Sequence, residues 1–470
     1  MTSSSELAKL TLTSDTPGAL LSIVDSTLRQ VASGYGFLRE QLAPGVYRIQ
    51  ARLGGTNNTH LISLAPGSSE RRDLTVPFPS AAPVYGTSTE KETHGELTEA
   101  LSESVSDIVG PDAGVVLILR NLCGSPAYPL YRNEVTLLDS NLREVNWYYN
   151  SWILADPEDA AGLCGRFPPG PYVLRTVGLS PEGNSTTDQA IWLSAGWQTV
   201  VFIPNGPRGP EARGLSVHMV PHSKPWNRLD PISLEVEAAL AGLRDGIPSI
   251  PQELPGQLVD GRITNPMLGI LGLHTLLLDT YPDLPDDGLS SAVANVEELL
   301  WPPHPDALAI EWVLPPEDRA PMSVPWPPML ASSYRRLLLP ADLEDSRVLP
   351  TGSPSERVAP YLRPSEPWLQ WSSTPDLLTE RYTGGEPPWL GGWHVEAVTE
   401  QPEIRAPGAA VATVDRVLAE IAGFLEMERG RLVEQLGTQE LARRCGLPES
   451  LVTAALRELG VGRPIATVST

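Results

Sequence analysis

Near the start of the chain, polar and apolar positions alternate with a period of two. In "GVYRIQARL", Val46, Arg48 and Gln50 alternate with Tyr47, Ile49 and Ala51. That is the pattern of a half-buried antiparallel strand. Short runs rich in β-formers, "LLSIV" and "EVTLL", predict further strands. From Asp230 onward the period becomes helical. "DPISLEVEAALAGLRDG" places Leu234, Val236, Ala239, Leu240 and Leu243 on one side, with Asp230 or Ser233 as its cap. "NPMLGILGLHTLLLD" is apolar nearly all round, with Asn265 as cap and Pro266 at the first helical position. "DGLSSAVANVEELLWPPH" predicts a third helix, "DALAIEWVLPP" a strand, and Met329 to Leu339 a further helix.

The strand region is written twice. "VDSTLRQV" (Val24 to Val31) and "LDSNLREV" (Leu138 to Val145) agree at five of eight positions. Each is followed by a Pro-Gly-x-Tyr entry, "LAPGVYRIQARLGG" in one copy and "FPPGPYVLRTVGL" in the other. A last strand follows a glycine turn in both, at Gly67 and Gly196. Asp25 and Asp139 are placed to open turns, since a short carboxylate bonds the backbone two residues on. Pro44-Gly45 and Pro169-Gly170 read as turn pairs, with the glycine at positive φ. Gly67 and Gly196 read as hairpin turns. Strands about ten residues apart, with turn signals between them, predict a sandwich.

The Asp turn, the Leu42–Tyr47 entry and the closing strand resemble the prealbumin-like β-sandwiches, which include carboxypeptidase-regulatory-like and PEGA-like modules. The resemblance covers roughly residues 8–80 and 112–206. It implies a role in binding, spacing or supporting other domains rather than catalysis. The run from Asn265 to Ser373, with "NPM-x-G", "HPD" and "PPML", resembles a helical region of bacterial accessory proteins. Those proteins accompany caspase-like or trypsin-like peptidases in conflict, or defence, and signalling systems. That second resemblance implies a partner of such a peptidase.

The expected fold is multidomain α+β: two antiparallel β-sandwiches, a helical domain and a small helix-turn-helix-like module. Residues 8–80 form the first sandwich, 81–111 an acidic linker with a short helix from Glu96 to Val109, and 112–222 the second sandwich. Residues 228–340 form the helical domain. Residues 341–410 are an irregular segment rich in Pro and Trp, which Trp368, Trp371, Trp389 and Trp393 predict to lie over another domain. Residues 411–463 form the C-terminal module, where Ala442, Gly446 and Val452 have helix-turn-helix spacing.

Composition narrows the function classes. The formal charge is −23, which repels nucleic acid and anionic membranes and suits a basic partner surface. Asp415 to Arg463 carries seven Arg and eight Asp or Glu, 7 − 8 = −1, too few cations for ordinary phosphate contacts. The 48 prolines are roughly twice the average usage and leave extended backbone for a partner groove. The longest apolar run, Met267 to Asp279, falls short of the roughly 20 residues a bilayer needs. With no signal-peptide pattern, a cytoplasmic protein is expected. Three cysteines, Cys123, Cys164 and Cys445, do not make a disulfide framework.

Candidate chemistry is sparse. His218 and His222 form "HMVPH" without a third ligand nearby, and His274 sits in an apolar helix. None of the hydrolase, metalloprotease or nucleotide-binding signatures occurs. No catalytic residue, metal or cofactor is expected. Trp147, Tyr148, Tyr149, Trp152, Trp389 and Trp393 are candidate interaction residues, the first four more simply read as cover for an open face. The expectation is a non-enzymatic scaffold or accessory protein: a subunit, regulator or substrate of a peptidase-centred system. Two alternatives stay open: a DNA-binding regulator acting through the C-terminal module, and a carbohydrate-binding protein acting through the sandwich aromatics.

Overall fold

The computed structural model describes residues 7–106, 112–122, 129–145, 147, 152–155, 157–179, 184–278, 288–312, 314, 323–343 and 348–373, with Leu456 and Leu459. Tyr148, Tyr149, Trp389, Trp393, Cys123, Cys445 and the helix-turn-helix spacing fall outside these residues.

Seven strands build the first sandwich: β1 (Ala8–Ser14), β2 (Leu20–Val24), β3 (Gln30–Tyr35), β4 (Phe37–Leu42), β5 (Gly45–Leu53), β6 (Thr56–Leu64) and β7 (Ser69–Leu74). They form two sheets, β4-β1-β7 and β3-β2-β5-β6. Leu10 and Leu12 from one sheet meet Leu21, Ile23, Ile49 and Ala51 from the other in a shared core. The period of two seen in the sequence is this inward alternation.

Helix α1 (Glu92–Ser104) comes next. The second sandwich follows as β8 (Ala113–Asn121), β9 (Val135–Leu138), β10 (Ile153–Leu154), β11 (Ala160–Phe167), β12 (Gly170–Gly178), β13 (Ser185–Leu193), β14 (Trp197–Gly206), β15 (Gly209–Pro210) and β16 (Ser216–Pro221). The helical part comprises α2 (Pro231–Asp245), α3 (Leu254–Val259), α4 (Pro266–Leu276), α5 (Gly288–Glu297), α6 (Pro305–Glu311), α7 (Ala331–Leu343) and α8 (Pro354–Val358). Two short strands, β17 (Leu362–Arg363) and β18 (Gln370–Ser372), return to the second sandwich, whose sheets run β10-β11-β8-β14-β15, with β16 also pairing β14, and β17-β18-β13-β12-β9.

The repeat in the sequence is a repeat in topology. The trio β4-β1-β7 corresponds to β11-β8-β14, and β2, β5 and β6 correspond to β9, β12 and β13. Registers agree residue for residue: Tyr47 opposes Ile62 as Tyr172 opposes Ile191. The octapeptide is one turn made twice. Asp25 Oδ1 accepts the backbone N–H of Thr27 at 2.8 Å and of Arg29 at 3.1 Å. Asp139 Oδ1 accepts those of Asn141 at 2.8 Å and Arg143 at 2.9 Å. The leucine inside each turn, Leu28 at φ 65° and Leu142 at φ 57°, is left-handed, a conformation leucine disfavours. The Pro-Gly-x-Tyr motif is also made twice. Tyr47 donates its hydroxyl to Ala43 O at 2.8 Å, and Tyr172 to Pro168 O at 2.9 Å. Each tyrosine thereby pins the chain where it passes from one sheet to the other.

Several expectations need correction. The sandwiches are mixed rather than antiparallel, because β1 pairs with β7 in parallel and β8 with β14 in parallel. Strands of the opposite sheet, β2, β3, β5 and β6 in the first copy and β9, β12 and β13 in the second, lie between the members of each pair and provide the crossover that parallel pairing requires. Gly67 and Gly196 therefore turn between sheets and do not close hairpins, since β6 and β7, like β13 and β14, belong to different sheets. Of the two Pro-Gly glycines, Gly170 has positive φ and Gly45 does not. "DALAIE" is helical, because His304 caps it and Pro305 starts it, and a short apolar run does not by itself separate strand from helix. The segment after the first sandwich is not a spacer. Its helix starts at Glu92 rather than Glu96, and Leu97 and Leu101 pack with Val116, Ile118, Val200 and Phe202 on the outer face of the second sandwich.

The helical part and the second sandwich share one continuous core, in which Leu117, Trp192 and Val201 meet Val236, Leu240, Ile270, Leu271 and Val296. Leu28 is 75% exposed, so Leu28→Gly loses little packing. It relieves about 1–2 kcal/mol of left-handed strain against roughly 0.5–1 kcal/mol of added chain entropy. Urea unfolding is expected to show an unchanged or raised midpoint for this variant. A clear drop would contradict the reading of the turn.

Candidate functional site

One buried polar cluster is a junction. Asp230 caps α2 through the N–H of Ile232 at 3.0 Å, and Pro231 fits the first turn. That start sets the rotation of the helix. Ala238 then enters the first sandwich's core, while Val236, Ala239 and Leu240 enter the larger core. Glu237 lies between these faces and is 3% exposed. Its carboxylate accepts Ser80 Oγ at 2.6 Å, Ser216 Oγ at 2.9 Å and His218 Nε2 at 2.6 Å. Buried Arg120 lies in its field and donates to Ala81 O at 3.1 Å and to Thr89 O. Burial pushes the Arg120 pKa down to about 10, against the pull of Glu237 and Asp159. One carboxylate thus ties the end of the first sandwich, strand β16 and α2 together. His218, half of "HMVPH", is bound to a carboxylate here. Its fellow His222 is half-buried beside Gly114 and Trp197, and desolvation pushes its pKa down to about 4.

A second cluster has the residue types of a hydrolase. His274 Nε2 lies 2.9 Å from Ser333 Oγ and its Nδ1 lies 3.0 Å from Ser332 Oγ. Ser333 in turn donates to Asp306 Oδ1 at 2.5 Å. The connectivity is wrong for nucleophilic attack. A triad needs histidine between serine and carboxylate, whereas Ser333 sits between His274 and Asp306. Asp306 also accepts the N–H groups of Met329 at 2.8 Å and Leu330 at 2.9 Å, so it holds the start of α7. All three residues are buried to 1% exposure or less. Burial drives His274 down to about 3 and raises Asp306 to about 6, which leaves His274 neutral and a poor acceptor of a further proton.

Cys164 is buried with Sγ 3.1 Å from Ser104 Oγ, and burial raises its pKa, the opposite of an activated thiol. Among the described residues, no group of three or more His, Cys, Asp or Glu is placed to hold a metal. No described helix is long and apolar enough to cross a membrane. Two small cavities lie among the described residues. One of about 140 Å³ lies beside His218, Trp226 and Asn265. The other, of about 290 Å³, is lined by Glu211, Arg213 and Arg363. Arg363 is already committed to Ser372, Thr187 and Ser185.

Of the sequence-nominated aromatics, Trp147 packs edge-on against Phe167 with centroids 5.2 Å apart, and Trp152 also packs against the core. Neither stands as an open stacking platform. Trp368 and Trp371 are fully buried; Trp368 donates its indole N–H to Leu215 O at 2.7 Å, and Trp371 lies in β18. Sequence reasoning missed Glu237 and the difference between the two sandwiches. The second difference was written in the pattern. "GVVLIL" and "VVFI" are continuous apolar runs, the mark of strands covered on both faces. "KLTLTS" and "GVYRIQARL" alternate.

Two predictions concern this interior. Glu237→Ala leaves His218, Ser80 and Ser216 without their acceptor and Arg120 without its counter-charge, which typically costs about 3–5 kcal/mol. Its thermal midpoint should fall far more than that of Glu237→Gln, which keeps oxygen and nitrogen partners for the hydroxyls. Equal effects would contradict a junction built on the hydrogen bonds of this side chain. The second concerns Glu297 and Glu311, which sit side by side on α5 and α6. Burial and the neighbouring Glu311 raise Glu297 to about 8, and burial raises Glu311. A carboxyl raised in the fold stabilises fully below its unfolded value near 4.5, and that stability is lost as pH rises through about 8. Glu297→Gln should match the parent protein at pH 4.5 and exceed it increasingly toward pH 8. A constant difference across that range would refute the pairing.

No known family model matches the chain, and no curated protein does. Solved structures give partial superpositions. The Bacillus anthracis TIE protein aligns at 11% identity and TM-score 0.17, over 42% of this chain and 33% of its own, so the match spans about a third of that protein. The minor pilin of Streptococcus agalactiae aligns at 12% identity and TM-score 0.13, over 41% of this chain and 93% of its own. A candidate cell adhesion protein of Bacteroides fragilis aligns at 8% identity and TM-score 0.16, over 45% and 85%. Likeness at this level says nothing about what the chain does.

Proposed function

We propose that the chain is a non-enzymatic protein-binding scaffold, in which a rigid body carries an open β-sandwich toward a partner. The observation that carries the reading is the contrast between the two sandwiches. The second is covered by α1 on one outer face and by α7, α8 and β18 on the other. The first keeps its outer faces free, with Leu61 77% and Val46 52% exposed. Its strands thus form a surface that the other described residues do not use. The Ser-His-Asp set supports the same reading, because its groups are consumed in holding α6, α4 and α7 together.

The finer reading is a cytoplasmic accessory subunit, regulator or substrate of a caspase-like or trypsin-like peptidase. It rests on the resemblance of the Asn265 to Ser373 region to accessory proteins of such systems. Acidic charge elsewhere on the chain suits encounter with a basic partner surface. Affinity purification of the tagged full chain from its native host, with mass spectrometry of co-eluting proteins, tests both levels. A stoichiometric protein partner is expected, and a peptidase among the eluted proteins would support the finer reading. Elution of the chain alone and uncleaved would overturn both. Tight, salt-sensitive DNA binding in a gel-shift titration would instead favour a regulator acting through residues 411–463.

A further inference from the structure

Strand β6 is an edge: the sheet ends β3-β2-β5-β6, and among the described residues nothing pairs with its outer side. Its counterpart β13 is not an edge, because β18 pairs there, with Thr187 opposite Ser372, Asp188 opposite Trp371 and Gln189 opposite Gln370. The shared register transfers those three positions to Asn58, Thr59 and His60. Thr59 and His60 are exposed. In the second sandwich, the added strand also brings Trp371 into a cluster with Val173, Ala190 and Leu138 on the outer face. Val173 and Ala190 correspond to Arg48 and Leu61, and Leu138 corresponds to Val24. The same fold therefore shows what this edge accepts and which side chains the added strand covers.

Charge distinguishes the two edges. The four strands β2, β3, β5 and β6 contain no Asp or Glu, and β5 carries exposed Arg48 and Arg52. Residues 7–78 hold seven Lys or Arg and five Asp or Glu, 7 − 5 = +2, within a chain of −23. A long exposed edge with unpaired backbone groups is a template for another strand. Its cationic face selects acid, and Leu61 at 77% exposure offers an apolar contact.

We propose that the β6 edge of the first sandwich is a strand-addition site for an acidic, extended segment of a partner protein. That segment pairs antiparallel along Asn58 to His60 and lays an apolar side chain on Leu61 between Arg48 and its own carboxylates. The proposal rests on the protein-binding reading above and specifies where and what it binds.

The test uses the full chain and two labelled seven-residue strand peptides, one alternating Asp with Val and Trp and one with Lys in place of Asp. Fluorescence anisotropy at low salt should show the acidic peptide binding in the micromolar range, at least ~10-fold tighter than the basic one. Hydrogen exchange should slow at residues 57–63 when it binds. The double variant Arg48→Glu with Arg52→Glu changes only exposed groups and should reverse the preference. Thr59→Pro, which removes an edge donor, gives a second variant. Equal binding of both peptides, binding without protection of β6, or no binding of either at millimolar concentration would overturn the proposal. So would concentration-dependent self-association that protects β6 without peptide, which would assign the edge to a second copy. If the purification yields a partner whose capture survives the arginine reversal, the scaffold reading stands and this site falls.

Discussion

The fold turns on one buried carboxylate. A charge at 3% exposure is tolerable only when its oxygens are occupied, because desolvation of an ion is expensive. Glu237 meets that condition with two serine hydroxyls and a histidine drawn from separate parts of the chain. The pairing fixes the rotation of α2, and α2 has no free face at that level. Ala238 goes to one core while Val236, Ala239 and Leu240 go to another. Further along, Asp245 near the end of α2 accepts the N–H of Gly55 from the β5-β6 turn, and Gly18 packs so closely on Ser249 that an added Cβ would lie 2.4 Å from its backbone carbon. The first sandwich is therefore docked through its turns, which leaves its strand faces open.

Divergence after duplication explains the asymmetry. Both copies keep the Asp-anchored turn and the tyrosine that ties each sheet corner, features that depend on local geometry alone. What changed is the outer surface. Arg48 and Leu61 in one copy stand where Val173 and Ala190 stand in the other. The apolar pair is covered by Tyr334, Val358 and Trp371, while the mixed pair faces solvent. A strand that is apolar throughout must be covered on both faces, and here the coverage comes from α1 before it in the chain and from α7, α8 and β18 after it.

How much of this was legible depended on range. Turns bonded within four residues, such as Asp25 to Arg29, were readable, and so were the caps at Asp230 and Asn265 and the apolar helix behind Asn265. So was the duplication, because it is written in identical letters. Elements decided by distant partners were not. The β1-β7 pairing is parallel because a second sheet intervenes, a fact with no local signature. The 306–311 run is helical through His304 and Pro305 rather than through its own apolar pattern. Glu237 reads in sequence as an ordinary helical glutamate on a polar stripe; its role comes from Ser80, Ser216 and His218, whose convergence needs the fold. For the candidate binding surface, the alternating strands of the first copy and the continuous runs of the second were the available signal.

Native-state hydrogen exchange on the full chain, resolved to individual strands, measures the central contrast directly. If the second sandwich and the helices form one body through Glu237 and α2, then β8, β14, α2 and α4 exchange together at the slowest rate. In that case β6, at an open edge, exchanges orders of magnitude faster than its counterpart β13, which is covered by β18. Equal protection of β6 and β13, or helices that exchange independently of β8 and β14, would contradict the account.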